Sequence, residues 1–372
     1  MSTSLLDHFA SLEDPRVERN QRHALLDIVL LTVCAVVSGA PGWEAIEEFG
    51  QAKLDWLRKF GRFDNGVPSH DCIAGVISRL TPKGFGECFR SWTRAVATAT
   101  GGEVIAVDGK SARGSRDRRR GRSALHMVSA WACRNRLVLG QEATEEKSNE
   151  ITAIPKLLEL LDLQGCIVTI DAMGTQPNIA KAIRDRGANY ILSVKDNQPT
   201  LADSVQDFFV AFESAPDKTP HQFDEVIEKD HGRLEVRRCY AFDQIDCLHA
   251  PERWPHLKSF AVIASERTIK DKTTLEYRLY ISSLPANAAR LNHAVRQHWR
   301  VENSLHWCMD VVFGDDQMRA RTGHAAHNFA VLRHIALNLL RLAPAKRKGG
   351  LKVRRLIAAT SDNYRAQILG LV

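Results

Sequence analysis

Asp108 closes the β-branched apolar run Val104-Ile105-Ala106-Val107 and is followed by Gly109-Lys110. Asp171 closes Ile167-Val168-Thr169-Ile170 in the same way and leads into Ala172-Met173-Gly174. A buried strand that ends on a carboxylate delivers it to the sheet edge, where ligands bind in α/β folds. One such Asp often only caps the next turn. Two suggest carboxylates gathered around a hard metal ion. The third is Glu302, on a helical stretch over 286–313. With Glu302 at zero and about 100° per residue, Leu291 and Met309 fall near −20° and Val295 and Phe313 near +20°. Glu302 thus lies in the middle of an apolar stripe, where an unpartnered carboxylate would cost several kcal/mol. A metal ion, or Arg or His pairing, must compensate, and His298 and His306 share its face. Three carboxylates so placed can hold two Mg²⁺ ions, which activate a water or 3′-hydroxyl for in-line attack on a phosphodiester.

The elements that must position these groups follow from the pattern of the chain. Residues 1–100 read as a helical domain, a candidate DNA-binding module. Its helices run over 27–38 (closed by Gly39), 43–60, 72–80 (capped by Ser69) and 83–97. From 101 to 214 the order is β-β-β-α-β-α-β and then a helix near 201–212. The strands are 103–108, 124–133, 137–143, 166–171 and 190–194; the helices between them are 149–161 and 177–186. This predicts a mixed α/β sheet with helices on both faces and the two Asp-bearing strands as neighbours. Residues 215–285 alternate as four strands, a β-rich insertion. Residues 286–345 resume the core with the Glu302 helix and a second amphipathic helix over 328–342. Residues 346–372 form a basic C-terminal tail.

The 372 residues carry a net charge of +7, and the sequence pI is about 9.0. An anionic partner fits this balance. The excess is local: Lys110, Arg113, Arg116, Arg118, Arg119, Arg120 and Arg122 follow directly behind Asp108, with only Asp117 opposing them. A second cluster is Lys346, Arg347, Lys348, Lys352, Arg354 and Arg355. The eight cysteines include no CxxC pair, and the N-terminus lacks a basic region followed by an apolar core. The longest apolar run, 28–40, is too short to span a bilayer. A cytoplasmic protein with reduced thiols is expected, with no membrane partner.

Other constellations carry less. Cys239, Cys247 and His249 do not have the spacing of a closed zinc site. Ser129 and Ser148 lack a His/Asp arrangement that would make either a nucleophile. Glu150, at the start of its helix, reads as a partner of the helix dipole.

Longer motifs add a resemblance. They are His23-Ala24-Leu25-Leu26-Asp27-Ile28, Pro68-Ser69-His70-Asp71, Asp108-Gly109-Lys110 and Val128-Ser129-Ala130-Trp131. Further on come Glu146-Lys147-Ser148-Asn149-Glu150-Ile151-Thr152-Ala153-Ile154-Pro155, Asp171-Ala172-Met173-Gly174, Lys195-Asp196-Asn197-Gln198 and His298-Trp299-Arg300-Val301-Glu302-Asn303-Ser304-Leu305-His306-Trp307. With these the chain resembles the DDE transposases of bacterial insertion sequences, specifically the H repeat-associated group linked to Rhs elements. The resemblance implies a ribonuclease H-like fold with Asp108, Asp171 and Glu302 as the catalytic, metal-binding triad. It implies Mg²⁺ as cofactor, two ions, with Mn²⁺ as a substitute. The implied partners are double-stranded DNA, as terminal inverted repeats and as target, and a second copy of the chain when two ends are synapsed. Such a protein would sit with the bacterial nucleoid. Lys110, Arg113, Arg116, Arg118, Arg119, Arg120, Lys195 and Arg300 are the expected phosphate contacts. Thr175 departs from the group, which often has Cys there, and Cys72-Ile73-Ala74-Gly75 stands where a Thr-Phe-Gly-Arg-like stretch is common. Two alternatives stay open: a ribonuclease H-like nuclease without strand transfer, and an inactive or repurposed DNA-binding protein.

Overall fold

A computed structural model describes residues 4–97, 102–117, 120–144, 149–230, 232–343 and 349–371. The first part is helical: α1 (Leu5–Phe9), α2 (Leu25–Ser38), α3 (Trp43–Leu57), α4 (His70–Ile77) and α5 (Pro82–Val96). α2 is buried over nearly its whole length and ends on Gly39 at φ 116°, a left-handed position that favours glycine. Asp27 sits inside this apolar helix because its carboxylate accepts the backbone N–H groups of Arg62 and Phe63 at 2.9 and 2.7 Å. A buried acid is thereby satisfied, and the loop before α4 is pinned to α2.

The strands are β1 (Val104–Ala112), β2 (Leu125–Ala132), β3 (Leu137–Thr144), β4 (Ile167–Ile170) and β5 (Asn189–Val194), with helices α6 (Glu150–Glu159) and α7 (Pro177–Asp185) between them. After α8 (Pro199–Ser214) come β6 (Gln222–Asp230), β7 (Arg233–Phe242), β8 (Ser259–Ile269) and β9 (Lys272–Ser282). One nine-stranded sheet holds all of them in the order β3-β2-β1-β4-β5-β9-β8-β7-β6. β1, β4 and β5 are parallel; β2, β3 and the last four strands pair antiparallel. This is the mixed sheet expected, with the two Asp-bearing strands β1 and β4 as neighbours. The strands of the 215–285 stretch extend that same sheet from the edge of β5.

The C-terminal part is α9 (Ala288–Val301), a π-helical turn (Glu302–His306), α10 (Trp307–Val311), α11 (Ala325–Leu342), α12 (Leu351–Thr360) and α13 (Asp362–Ile368). The single helix expected over 286–313 is therefore interrupted, and the π turn begins at Glu302. The expected basic tail forms two helices, and Ala358, Ala366 and Ile368 join the core. Lys346, Arg347 and Lys348 lie outside the described residues, as do Glu146, Lys147 and Ser148 of the long motif.

Period-2 alternation sorts each strand onto two cores. Val104 and Ala106 of β1 face the core shared with α2, α9 and α11, while Ile105 and Val107 face that of α6, α7 and α8. Asp108 continues the first set and Gly109 the second. Among the described residues no single helix is long and apolar enough to cross a membrane.

Candidate active site

The parallel register of β1 and β4 runs from Val104 opposite Ile167 to Val107 opposite Ile170. The next residues are Asp108 and Asp171, so both carboxylates leave the sheet at one level. By parity both point to the α9 side: Thr169, two residues before Asp171, meets His298 Nδ1 of α9 at 2.9 Å through its hydroxyl. β1 does not end at Asp108. It continues to Ala112 against β2, with Asp108 opposite Ser129. The carboxylate stands where the parallel neighbour stops, so it is exposed on that side although it lies mid-strand.

Glu302 enters from α9. One ligand atom each of Asp108, Glu302 and His306 lies within 4.8 Å of the other two. His306 Nδ1 is 3.4 Å from Glu302 Oε2 and 3.7 Å from Asp108 Oδ2. The buried Glu302 expected from the apolar stripe is not found; its side chain is 58% exposed. Leu291, Val295, Met309 and Phe313 are buried as expected, but Glu302, the first residue of the π turn, stands beside Asp108 where the neighbouring β4 has ended. The long side chain then emerges at the rim of the sheet rather than beneath it.

Burial pushes the Asp108 carboxyl up to about 6. His306 works against that, while Asp171 and Glu302 add to it. Glu302 is held below the usual range, first by its hydrogen bond from His306 and against a smaller burial effect. His298 is buried and pulled down to about 4 by desolvation, so it is neutral at pH 7. Asp171 accepts the Gly174 N–H at 3.3 Å. It lines a cavity with Lys195, His298 and Trp299. The residues fit a divalent cation: Asp171 and Glu302 both disfavour the ionised form of Asp108, and the buried Nε2 of His306 has no hydrogen-bond partner among the described residues. Carboxylate oxygens suit Mg²⁺ or Mn²⁺. His306 was expected only as a charge partner; its i, i+4 spacing from Glu302 was the signal that it joins the cluster.

The loop behind Asp171 is clamped by the motif residues. The Thr175 hydroxyl donates to the carbonyls of Ser193, at 2.5 Å, and Asp171, at 3.2 Å. Asn197 donates to the Ala172 carbonyl, and Gln198 Nε2 to that of Thr175 at 3.1 Å. The departure at Thr175 is therefore a hydrogen-bonded tie. On the opposite face of β1, Glu150 is buried against His126 (Oε1 to Nε2, 2.5 Å), and His126 Nδ1 meets the Ser111 hydroxyl at 2.8 Å. Glu150 is in the first turn of α6 as expected, but its partner is an imidazole as well as the helix dipole. A Cβ on Gly109 would approach both groups to 2.4 Å, so only glycine fits beside Asp108.

The basic residues divide. Lys110 does not project as a free phosphate contact. Its ammonium is 2.7 Å from Asp310, 3.3 Å from Asp315 and 3.8 Å from Asp316, with the side chain only 16% exposed. Asp310 is taken up by Lys110, and Arg321 donates to the Gly114 carbonyl. Burial disfavours the Lys110 charge, but Asp315 and Asp310 outweigh it and hold its pKa above the ordinary lysine value. Arg113, Arg116, Arg120, Lys195 and Arg300 are exposed. Asp117 and Arg122 close the arginine loop through paired backbone hydrogen bonds. Arg118 and Arg119 lie outside the described residues. Cys239 is buried inside β7, and among the described residues no cysteine joins a metal-ligand cluster.

With this geometry in place, the comparisons with known proteins are consistent along the whole chain. A family model described as "Transposase DDE domain" matches residues 99–339, and one described as "DDE_Tnp_1-associated" matches residues 6–93. The chain is 42% identical over 370 residues to "H repeat-associated putative transposase YhhI" of Escherichia coli (strain K12), covering 98% of this chain and 97% of that protein. It is 51% identical over 75 residues to "Inactive transposase YbfQ" of the same organism, covering 20% of this chain and 89% of that one. Among solved structures, a piggyBac transposase synaptic complex with hairpin DNA aligns with a TM-score of 0.45 and 11% identity over 96% of this chain and 75% of that chain. That likeness is too distant to carry residue roles across.

Proposed function

From the premise that the chain belongs to the DDE transposases, in the H repeat-associated group, we propose that it cleaves DNA at insertion-sequence ends and joins the 3′-hydroxyl to target DNA. The observation that carries this reading is the convergence of Asp108, Glu302 and His306, with Asp171 delivered at the same level by the parallel strand. Asp108, Asp171 and Glu302 would hold two Mg²⁺ ions (or Mn²⁺), which when bound polarise the scissile phosphate and activate the attacking hydroxyl. The chain's own groups supply position and charge. His298, neutral and bonded to Thr169, fixes α9 against the end of β4 so that Glu302 reaches the two Asp strands. His306 shares its Nδ1 between Glu302 and Asp108 and keeps Glu302 ionised. Lys195, beside Asp171, and the exposed Arg113, Arg116, Arg120 and Arg300 would contact phosphates and give salt-dependent affinity. Synapsis of two element ends requires two copies of the chain, and DNA as substrate places the protein at the nucleoid.

The test is incubation of pure protein with its flanking genomic DNA and Mg²⁺. Cleavage at the element ends followed by joining, both lost in EDTA, is the expected result. Cutting without joining would make it a nuclease. Binding without metal-dependent cleavage would make it a DNA-binding relic.

A further inference from the structure

We propose that α6 is the gauge that sets the separation of the Asp108 and Asp171 carboxylates. Glu150, bonded to His126, seats Gly109; Ile154 seats Gly174; and the N–H of each glycine holds one carboxylate. Glu150, His126 and Ile154 are then positioning residues for the proposed reaction. The inference rests on that reading only for the two carboxylates being metal ligands.

The two Asp residues are held alike. Asp108 Oδ1 accepts the N–H of Gly109 at 2.9 Å, and Asp171 Oδ1 accepts that of Gly174 at 3.3 Å. With Oδ1 occupied in this way, Oδ2 of Asp108 is the oxygen turned toward His306, 3.7 Å away. The aim of each carboxylate therefore follows the aim of a glycine N–H. That in turn follows the placement of a peptide with no side chain to anchor it.

Both glycines are seated from α6. His126 and Glu150 are 2% and 3% exposed and lie directly against Gly109, where a Cβ would overlap both. A Cβ on Gly174 would come within 2.9 Å of the buried Ile154 Cδ1. Glu150 and Ile154 are four residues apart in α6, so they share one face a turn apart. One short helix thus underlies both peptides. On the β1 side the seat is locked further. His126 Nε2 lies 2.5 Å from Glu150 Oε1, and its Nδ1 meets the hydroxyl of Ser111, two residues beyond Gly109 on the same face. A buried pair of this kind stabilises a core no more than apolar side chains of the same volume would. What it adds is direction, because a hydrogen bond fixes ring and carboxylate at one angle while apolar groups can slide. A pair of metal ions needs its ligands held to within about 0.5 Å.

The experiment titrates the full chain with Mn²⁺ by calorimetry, without DNA, beside melting curves in EDTA. Wild type should bind Mn²⁺, and Glu150→Ala should bind it on the order of tenfold more weakly. Glu150→Gln keeps an acceptor for His126 and should return affinity to within about twofold of wild type. Ile154→Val removes one methyl group, should fold normally, and should still weaken binding by about threefold. Leu157→Ala is the control. It opens the same core against Gly140 of β3, so its melting temperature should fall with Mn²⁺ affinity unchanged. Wild-type affinity in a folded Ile154→Val, a loss in Leu157→Ala as large as in Glu150→Ala, or no Mn²⁺ binding by wild type would overturn the gauge. Because no DNA is present, failure of strand transfer in the earlier assay leaves this result standing. A chain that joins DNA while Glu150→Ala and Ile154→Val bind Mn²⁺ like wild type loses the gauge alone.

Discussion

Lys110 Nζ lies 2.7 Å from Asp310 Oδ1, which ties the strand of Asp108 to the helical segment that follows Glu302. Lys110 is two residues beyond Asp108 and so shares its face of β1. The helical segment is thereby fixed to β1 at two points, near Glu302 and at Asp310, with the π turn between them. π turns inside helices recur at functional sites because they re-aim side chains without ending the helix. Arg333 braces the same cluster through a buried pair with Asp315.

Lys110→Met should therefore act on the fold of the site. Removing one ammonium from three carboxylates should lower stability by about 2–4 kcal/mol and weaken Mn²⁺ binding measured by calorimetry. The slope of log K against log salt for DNA should not change. A slope lowered by about 0.9 with stability intact would return Lys110 to the phosphate contacts.

Asp108→Asn should stabilise the metal-free protein at neutral pH. Its carboxyl titrates at about 6 in the fold against an ordinary 3.8. A group raised in this way favours folding fully below pH 4 and loses that contribution as pH rises through 6. At pH 7.5 its ionised form costs at most about 3 kcal/mol. Thermal melts should show the variant above wild type at pH 7.5 and level with it near pH 4, and added Mg²⁺ should stabilise only wild type. A variant that melts lower at both pH values would mean that burial is not what strains Asp108.

The two Asp strands are legible in the sequence because two β-branched runs each end on a carboxylate, which turn capping explains less well than it explains one, and their common face follows from parity together with the parallel register. The π turn is not. No residue type marks it, and the apolar stripe does not reveal that Glu302 stands past the end of β4, where its side chain is at the rim. Lys110 escapes a local reading for a related reason. Its partners Asp310, Asp315 and Asp316 lie some two hundred residues away, and a local charge run cannot show that one member is neutralised from afar. The 215–285 strands are recognisable by alternation, but their continuity with the core depends on the β5–β9 pairing, which local sequence does not encode.

The arginine loop remains the expected electrostatic contact. Arg113 is 84% and Arg120 63% exposed along the side chain. Changing Arg113, Arg116 and Arg120 to Ala should reduce the salt slope by about 0.9 for each phosphate released, equally for every duplex sequence. Fluorescence anisotropy across a salt series checks this, and an unchanged slope removes the loop from the interface.

Glu302 and Asp310 lie eight residues apart on one helical segment, and of the two only Glu302 is in the cluster that could hold a metal. Glu302 shares His306 with Asp108, whereas Asp310 is taken up by Lys110. Glu302→Gln removes a charge from an exposed side chain whose partner is His306, so fold and DNA binding should persist. Mg²⁺-dependent cleavage and joining should fall by on the order of 10²–10³-fold or more. Asp310→Asn leaves the metal cluster intact and removes one of the carboxylates around Lys110; it should cost about 1–2 kcal/mol of stability and keep measurable cleavage. Melting curves separate loss of fold from loss of chemistry in both variants. If Asp310→Asn were folded and inactive while Glu302→Gln still cut DNA, the third carboxylate would be Asp310, and the Lys110 ion pair would have to open when metal binds.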